Sequence, residues 1–134
     1  MKKKYSPKWK SSSQRRKQRK YRANAPLHKR QKMVSAHLSK ELRGQYKRRS
    51  LPLRKGDEVK VMKGEFKGTY GKVDEVDLKN LKVRIDGIKR RKVSGEEVAI
   101  AIDPSNLLLT RTEINDKRRI TMKKIASAKA VGVN

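Results

Sequence analysis

The feature that most constrains the fold of this chain is the uneven distribution of charge along its sequence. Residues 1–55 contain 21 lysines and arginines and one acid, Glu41, so their net charge is +20. Residues 56–110 contain 11 basic and 10 acidic residues, and residues 111–134 contain 7 basic and 2 acidic residues. Because like charges repel when a chain compacts, only the nearly neutral middle is suited to form a core unaided. We therefore predict a small central domain with a basic extension on each side.

The overall charge indicates the class of partner. The chain has 39 Lys+Arg and 13 Asp+Glu, a formal net charge of +26, and only 34% hydrophobic residues. A dense polyanion is the expected counter-charge, and nucleic acid is the first candidate. A membrane is the weaker one, since no apolar run approaches the roughly 20 residues of a span and no signal peptide is evident. The absence of cysteine excludes disulfides and thiolate metal sites and fits an intracellular setting.

Residues 1–22 are predicted to be a basic RNA-binding arm. This arm is too poor in apolar residues to fold alone, and Trp9 and Tyr21 are interleaved with its cations. Aromatic rings placed in this way suit stacking on unpaired bases while the cations hold phosphates. The alternative interpretation, a localisation signal or a non-specific electrostatic tail, stays open.

Residues 23–54 are predicted to form two short helices and an extended entry segment. Pro26 suits a first helical turn and precedes a helical face from Leu27 to Val34. Ser39 is a candidate N-cap for the second helix, and residues 51–53 are extended around Pro52. Residues 113–134 form a basic C-terminal segment that is either a surface helix or a partly ordered tail.

Residues 55–112 change to a pattern with a period of two. About five short strands separated by close turn signals predict a mainly β fold, a small closed or nearly closed barrel. The side chains that alternate inward form the predicted core: Val59, Val61, Val73, Leu81, Val83, Ile85, Val98, Ile100, Ile102, Leu107 and Leu109.

Two stretches of this domain resemble the KOW motif of ribosomal proteins and transcription elongation factors. Residues 55–61 (KGDEVKV) resemble its first strand, and residues 64–73 (GEFKGTYGKV) resemble its Gly-x-x-Lys-Gly turn, its further glycine and its returning strand. Residues 24–28, 38–43, 49–55 and 104–106 resemble the archaeal and eukaryotic form of the KOW-domain protein of the large ribosomal subunit. The resemblance spans roughly residues 22–112.

The resemblance implies a strongly bent Src-homology-3-like barrel and a role in early assembly of the large subunit. It implies binding of large-subunit ribosomal RNA near the polypeptide exit tunnel, beside neighbouring ribosomal proteins in the cytoplasm. A hairpin of about residues 89–97, with Ser94 and Gly95 at its tip, would lie close to the tunnel mouth. Members of this family are not enzymes, and none of the residues here suggests a catalytic site, a metal site or a cofactor.

The glycines of the motif have a physical role of their own. Gly64, Gly68 and Gly71 permit positive φ and close approach of the backbone to a phosphate, with Lys63 and Lys67 beside them. The adjacent acidic pairs, such as Asp57 with Glu58, are expected to be solvated or paired with nearby lysines. The full set of predicted RNA-binding residues is Lys2, Lys3, Lys4, Trp9, Arg15, Arg16, Lys17, Arg19, Lys20, Tyr21, Arg22, His28, Lys29, Arg30, Lys32, Lys40, Arg43, Lys47, Arg48, Arg49, Arg54, Lys63, Lys67, Lys89, Arg90, Arg91 and Lys92.

Two other functions remain open at the level of sequence. A KOW-domain elongation factor is one, although the chain has room for only one such domain and lacks the α/β domain that precedes it in those factors. A histone-like DNA-compacting protein is the other, and it would bind duplex DNA and structured RNA to a similar extent.

Overall fold

The computed structural model describes residues 5–112, and the fold in this range is mainly β. Lys2, Lys3, Lys4 and the predicted C-terminal segment lie outside the described residues. The strands are β1 Ser35–Leu38, β2 Ser50–Pro52, β3 Glu58–Val61, β4 Tyr70–Asp77, β5 Lys82–Arg91, β6 Glu97–Ile102 and β7 Leu107–Arg111. The helices are α1 Arg15–Asn24, α2 Leu27–Met33 and α3 Lys40–Tyr46, with 3-10 turns at Pro7–Ser11 and Pro104–Asn106.

The seven strands form one sheet in the order β2-β1-β7-β3-β4-β5-β6. Strands β1 and β7 pair in parallel, and the other neighbours are antiparallel. Strands β2 and β6 are the two edges and do not pair with each other. Within residues 5–112 the sheet is therefore open, and the expectation of a closed barrel is not met.

The buried core includes the inward-facing side chains of the neighbouring strands β7, β3, β4 and β5. Val59 is in register with Leu109, and Val61 with Leu107, and all four side chains are buried. This confirms the alternation predicted for β3 and β7, since every second residue of a strand points to the same face. Of the remaining predicted core residues, Val73, Val83 and Ile85 are buried, while Leu81, Ile100 and Ile102 are partly buried against the same cluster.

The prediction for Val98 was wrong, since its side chain is 41% exposed. Val98 pairs with Arg90 beyond an irregularity that separates the Arg84 and Lys89 pairings with β6. All residues from 89 to 99 are exposed in this outer part of the β5–β6 hairpin. The alternation of apolar residues therefore continues past the point where the strand leaves the core.

The segment before residue 55 contributes more to the core than its pattern indicated. Val34, Ala36 and Leu38 at β1, and Leu51 and Leu53 at β2, are buried in the same apolar cluster as β3 and β7. Strand β1 reaches the sheet by pairing His37 with Leu108 and Leu38 with Leu109. Residues 34–53 therefore pack as part of the sheet.

The two predicted helices are present. The Ser39 hydroxyl accepts a hydrogen bond of 3.3 Å from the Leu42 backbone N–H, which satisfies a free donor at the start of α3 and confirms the predicted N-cap. Helix α3 ends at Tyr46, and the C-cap residue Lys47 adopts a left-handed conformation with φ 51°. Helix α2 follows Pro26 and runs through the predicted face from Leu27.

The N-terminal arm is more ordered than its composition suggested. The predicted boundary at Arg22 falls inside α1. The Gln18 amide donates to the backbone carbonyls of Trp9, at 3.1 Å, and Lys10, at 3.2 Å, which fastens the first 3-10 turn to α1. Tyr21 is buried by stacking on Tyr5 at a centroid distance of 5.3 Å, outside the main apolar cluster. Short-range polar and aromatic contacts thus replace the missing apolar core.

Asp57 corrects another expectation, because it is fully buried instead of solvated. Its carboxylate accepts a 2.8 Å hydrogen bond from the Arg54 backbone N–H and so holds the turn that leads into β3. A related turn follows β4, where the Asp77 carboxylate accepts hydrogen bonds from the Asn80 backbone and side chain and from the Lys79 backbone. These bonds stabilise the charged form and lower the pKa of Asp77 below its usual value of 3.8.

Candidate nucleic-acid interface

The exposed cations of helix α1 form the most concentrated basic surface among the described residues. Six side chains, which we call the α1 cations, are exposed and form no ion pair within residues 5–112: Arg15, Arg16, Lys17, Arg19, Lys20 and Arg22. Like charges four residues apart on a helix repel, as Arg15 and Arg19 do. The helix therefore gains stability when phosphates neutralise this surface.

The aromatic residues of the arm have different surroundings. Lys20 Nζ lies 5.3 Å from the centroid of the half-buried Trp9 ring, a cation–π contact. The Tyr5 hydroxyl donates to the Tyr21 hydroxyl at 3.4 Å, and this hydrogen bond raises the pKa of Tyr5. Because Tyr21 is only 8% exposed, little of its ring is left for a base. Trp9 is the better placed of the two predicted stacking residues.

Sequence reasoning missed an exposed aromatic residue on the sheet. Tyr70 is 62% exposed, and Lys60 Nζ lies 4.8 Å from the centroid of its ring. The two residues are partners in the β3–β4 register, so they share one face. The position of Tyr70 between Lys67 and Lys72 is a signal that could have identified it. A ring with a cation beside it on an open surface suits contact with an unpaired base.

The loop between β3 and β4 is the predicted glycine turn, residues 64–68. Gly68 has φ +92°, and its N–H donates to the Val61 carbonyl at 2.8 Å to close the loop. Lys63 and Lys67 project from this loop and are exposed, as the sequence predicted. The loop thus presents two cations on a backbone that only glycine adopts without strain at Gly68.

Gly71 departs from the expectation for the motif, because it lies within β4 and its φ is not positive. A Cβ atom built on Gly71 would lie 2.5 Å from Ile85 Cγ2 and 2.8 Å from the Asp86 carbonyl oxygen. Glycine is therefore required at this position because β5 lies very close to it. The backbone that approaches Gly71 is the protein's own and not an RNA phosphate.

The tip of the β5–β6 hairpin, residues 89–97, is the second predicted loop, which we call the basic hairpin. The Lys92 N–H donates to the Glu96 carbonyl at 2.8 Å, and Gly95, with φ +90°, closes the turn beside Ser94. Lys89 pairs with Glu97 at 3.2 Å and Lys92 with Glu96 at 3.1 Å. These side chains are all more than half exposed. Exposed pairs contribute only about 0–1 kcal/mol, so these lysines can exchange a carboxylate for a phosphate.

An ion pair of 2.8 Å between Arg90 and Glu65 joins the basic hairpin to the glycine turn. A groove of about 290 Å³ lies between the two loops, with Phe66 and Ile100 among its walls. Arg91, at the outer end of β5, is exposed and forms no ion pair within the described residues. The structure therefore brings together two predicted RNA-binding elements that lie about 25 residues apart in sequence.

The remaining predicted cations occupy varied positions. The Arg30 guanidinium donates to the Ala25 carbonyl at 2.9 Å and to the Ala23 carbonyl, so it holds the corner between α1 and α2. Arg43 is half-buried, and its Nε has no hydrogen-bond partner within the described residues. Those on the surface or at its margin are His28, Lys29, Lys32, Lys40, Lys47, Arg48, Arg49 and Arg54.

The described residues offer little for chemistry other than binding. No group of three His, Asp or Glu side chains in residues 5–112 is arranged to hold a metal ion. None of the helices in this range has the length and apolar character needed to cross a bilayer. What the arrangement provides is a broad cationic surface with aromatic and backbone contacts.

The glycine turn provides a prediction that separates folding from RNA binding. Gly68→Val should lower the free energy of unfolding by about 1–3 kcal/mol, because a β-branched residue is strained at φ +92°. Lys67→Ala, on the same loop, should change stability by less than about 0.5 kcal/mol and weaken RNA binding. Urea unfolding and filter binding measure the two effects. An equal loss of stability in both variants would mean that Lys67 is structural.

Comparison with known proteins identifies the family of this chain. The family model of eukaryotic ribosomal protein L26 and its archaeal L24-type counterpart matches residues 12–125. A protein of Methanosphaera stadtmanae named large ribosomal subunit protein uL24 is 50% identical over 108 residues, 81% of this chain and 92% of the relative. Proteins of the same name from Korarchaeum cryptofilum, 46% identical over 87% of each chain, and Methanospirillum hungatei, 50% identical over 81% of this chain and 90% of the relative, also match. The chain therefore belongs to the family of ribosomal proteins that comprises eukaryotic L26 and its archaeal counterparts.

Proposed function

We propose that this chain binds large-subunit ribosomal RNA through the α1 cations, the glycine turn and the basic hairpin, and that it acts by organising that RNA. As a member of its family it is a structural, non-catalytic constituent of the large ribosomal subunit and is located in the cytoplasm. The observation that supports the proposed interface best is the set of six exposed cations on α1 that lack ion-pair partners within residues 5–112. Because no acid among residues 5–112 pairs with them, an external anion can relieve their repulsion, and in this proposal RNA supplies the counter-charge.

The proposed mechanism is architectural. Each lysine or arginine that contacts a phosphate releases counterions and reduces the repulsion between RNA helices that approach each other. The sheet fixes where the glycine turn and the basic hairpin lie, and the arm contacts RNA that folds around it. Recognition depends on RNA shape and unpaired bases, since the deep groove of an A-form duplex excludes side chains. A protein of this kind acts early in assembly of the subunit, before the surrounding RNA closes over it.

We further propose that the open sheet is a strongly bent, nearly closed barrel of the Src-homology-3 type built on the KOW motif. Two features support this proposal. The strands β3, β4 and β5 are consecutive antiparallel neighbours, with the glycine turn between the first two. The edge strand β6 lies across the 290 Å³ groove from the glycine turn, so the sheet curls back toward its own middle.

The division of the chain is part of the proposal. Residues 1–22 act as the RNA-binding arm, residues 23–54 as the helical and extended entry segment, residues 55–112 as the KOW domain, and residues 113–134 as a basic C-terminal segment. The tip of the basic hairpin, at Ser94 and Gly95, lies near the polypeptide exit tunnel in this proposal. Its support is the exposure of every residue from 89 to 99, which keeps the hairpin clear of the protein's own core.

Binding to RNA and to DNA under the same conditions tests the proposed function. The full chain should bind large-subunit ribosomal RNA at least tenfold more tightly than duplex DNA of similar length, because shape and unpaired bases add to the shared phosphate attraction. Filter binding at several salt concentrations measures both affinities. Equal affinities at every salt concentration would instead support a DNA-compacting protein.

A further inference from the structure

A wide groove lies beside the edge strand β2, on the opposite edge of the sheet from the basic hairpin. Its volume is about 950 Å³, and its walls come from α2, from residues 48–55 and from the β4–β5 turn. We call it the β2 groove. A space of this size is at the upper end of the range in which proteins bind ligands.

The walls of the β2 groove are cationic. Lys32, Arg48, Arg54 and Lys55 line it together with His28, and no carboxylate lines it. Lys55 pairs with Asp74 at 3.3 Å, but both side chains are more than 60% exposed, so this pair competes only weakly with a phosphate. The electrostatic character of the groove therefore favours a polyanion.

The floor of the β2 groove is apolar. Leu53 is 5% exposed, and Pro52, Val76 and Leu78 are partly buried around it. Cations can hold the phosphates of a single strand at the rim, and an apolar floor offers unpaired base faces a surface that removes them from water. A duplex keeps its bases stacked inside and would leave the floor empty.

The backbone of β2 argues against an extended peptide as the occupant. The Leu38 N–H donates to the Arg49 carbonyl at 3.0 Å, and the Leu53 N–H donates to the Val34 carbonyl at 2.9 Å. Alternation along the strand then turns the backbone groups of Ser50 and Pro52 outward. Proline has no N–H, so a peptide added as a strand would lack a ladder hydrogen bond at this position.

We propose that the β2 groove binds a single-stranded segment of RNA, with phosphates on its cationic walls, Lys32 among them, and with bases on Val76 and Leu78. This inference rests on the proposed RNA binding and assigns single strands to this surface. Duplex phosphates contact the α1 cations instead. The protein then holds an RNA helix and an adjacent unpaired RNA segment in a fixed relative position.

The test compares two RNA probes on the full-length chain. One probe is a single strand of about ten nucleotides that cannot pair with itself, which is within the usual site size. The other is the same strand annealed to its complement. Leu78→Asn should weaken binding of the single strand by about fivefold, as expected for the loss of a small apolar contact, and should change duplex binding by less than about twofold. Fluorescence anisotropy measures both.

Two further variants keep the test independent of folding. Lys32→Gln alters an exposed side chain of the groove and should lower the salt dependence of single-strand binding by about 0.7 in the log–log slope. Leu27→Asn alters a leucine of α2 that is 61% exposed and does not line the groove. It should leave the affinity for both probes unchanged. Thermal unfolding of each variant identifies any that is not folded.

The possible outcomes separate this inference from the proposed function. Failure of the unmodified chain to bind either probe or ribosomal RNA would overturn the proposed function itself. If Leu78→Asn weakened binding of both probes equally, only the assignment of single strands to the groove would be overturned. If the Leu78 and Lys32 variants bound both probes as the unmodified chain does, that assignment would also be overturned. The groove would then be a candidate surface for a protein partner.

Discussion

Replacing Gly71 with alanine is expected to lower the free energy of unfolding by about 3 kcal/mol, at the upper end of the cost of overpacking. The added Cβ would lie 2.8 Å from the Asp86 carbonyl oxygen, and a backbone atom cannot rotate away as a side chain can. Relief therefore requires β4 and β5 to separate where Val73 and Ile85 pair in the core. The midpoint of urea unfolding of the full chain measures the effect.

Gly44 provides the matched control for Gly71. It lies inside α3, is exposed, and has no atom within 4 Å of the position of an added Cβ. Gly44→Ala should therefore raise the free energy of unfolding by about 0.5–1 kcal/mol, because alanine is the better helix former. The same substitution is thus expected to lower the free energy of unfolding at Gly71 and to raise it at Gly44. A neutral or stabilising Gly71→Ala would contradict the close approach of β4 and β5.

The second large effect is expected in RNA binding when two α1 cations are neutralised. Arg15 and Arg19 lie four residues apart on the exposed face of α1, and loss of two phosphate contacts should lower the log–log salt slope by about 1.4–1.8. At 0.1 M salt this corresponds to an affinity on the order of 30-fold weaker. The double Arg→Gln variant, titrated with large-subunit ribosomal RNA at several salt concentrations, measures both quantities.

Lys82 and Arg84 on β5 provide the control with the same change in charge. Lys82 pairs with Asp103 at 2.8 Å, and Arg84 pairs with Glu75. Because these cations already have carboxylate partners, their double Gln variant should reduce the salt slope by less than about half as much. Equal reductions in the two variants would mean that RNA responds only to net charge and that α1 is not a defined contact surface.

The parts of the fold that the sequence predicts are those with a local pattern. Strands β3 and β7 follow from alternating valines and leucines, because a strand with one buried face requires a period of two. The start of α3 follows from Ser39, whose hydroxyl meets a backbone donor three residues ahead. In each case the residues that form the element also stabilise it.

Strands β1 and β2 depend on contacts that no local window contains. Residues 35–38 are too short for a strand pattern, and their place in the sheet comes from pairing with residues 108 and 109 of β7. Val98 shows the converse, since its alternation is that of a core strand although the hairpin has left the core. Asp57 is a charged residue that is nevertheless buried, and the hydrogen bond that its carboxylate accepts from the Arg54 backbone N–H is not visible in the sequence pattern.

For the candidate site, composition predicts which residues are cationic but not which cations have partners. Arg30 and Arg90 are equally basic in sequence, yet one binds carbonyls at a helix corner and the other joins two loops through Glu65. The α1 cations remain without ion-pair partners in residues 5–112 because no acid precedes Glu41 in the chain. That last property was visible in the sequence, so the charge distribution already indicated the part of the proposed interface with the most unpaired cations among residues 5–112.

The central claim is that this chain contacts large-subunit ribosomal RNA at defined surfaces, and crosslinking in growing cells tests it most directly. The protein is crosslinked with ultraviolet light and purified under denaturing conditions, and the RNA attached to it is sequenced. We predict that the reads concentrate at a few positions of large-subunit ribosomal RNA and that the Arg15→Gln/Arg19→Gln variant loses a subset of them. Reads spread across nascent transcripts, or recovery mainly of DNA, would contradict the account.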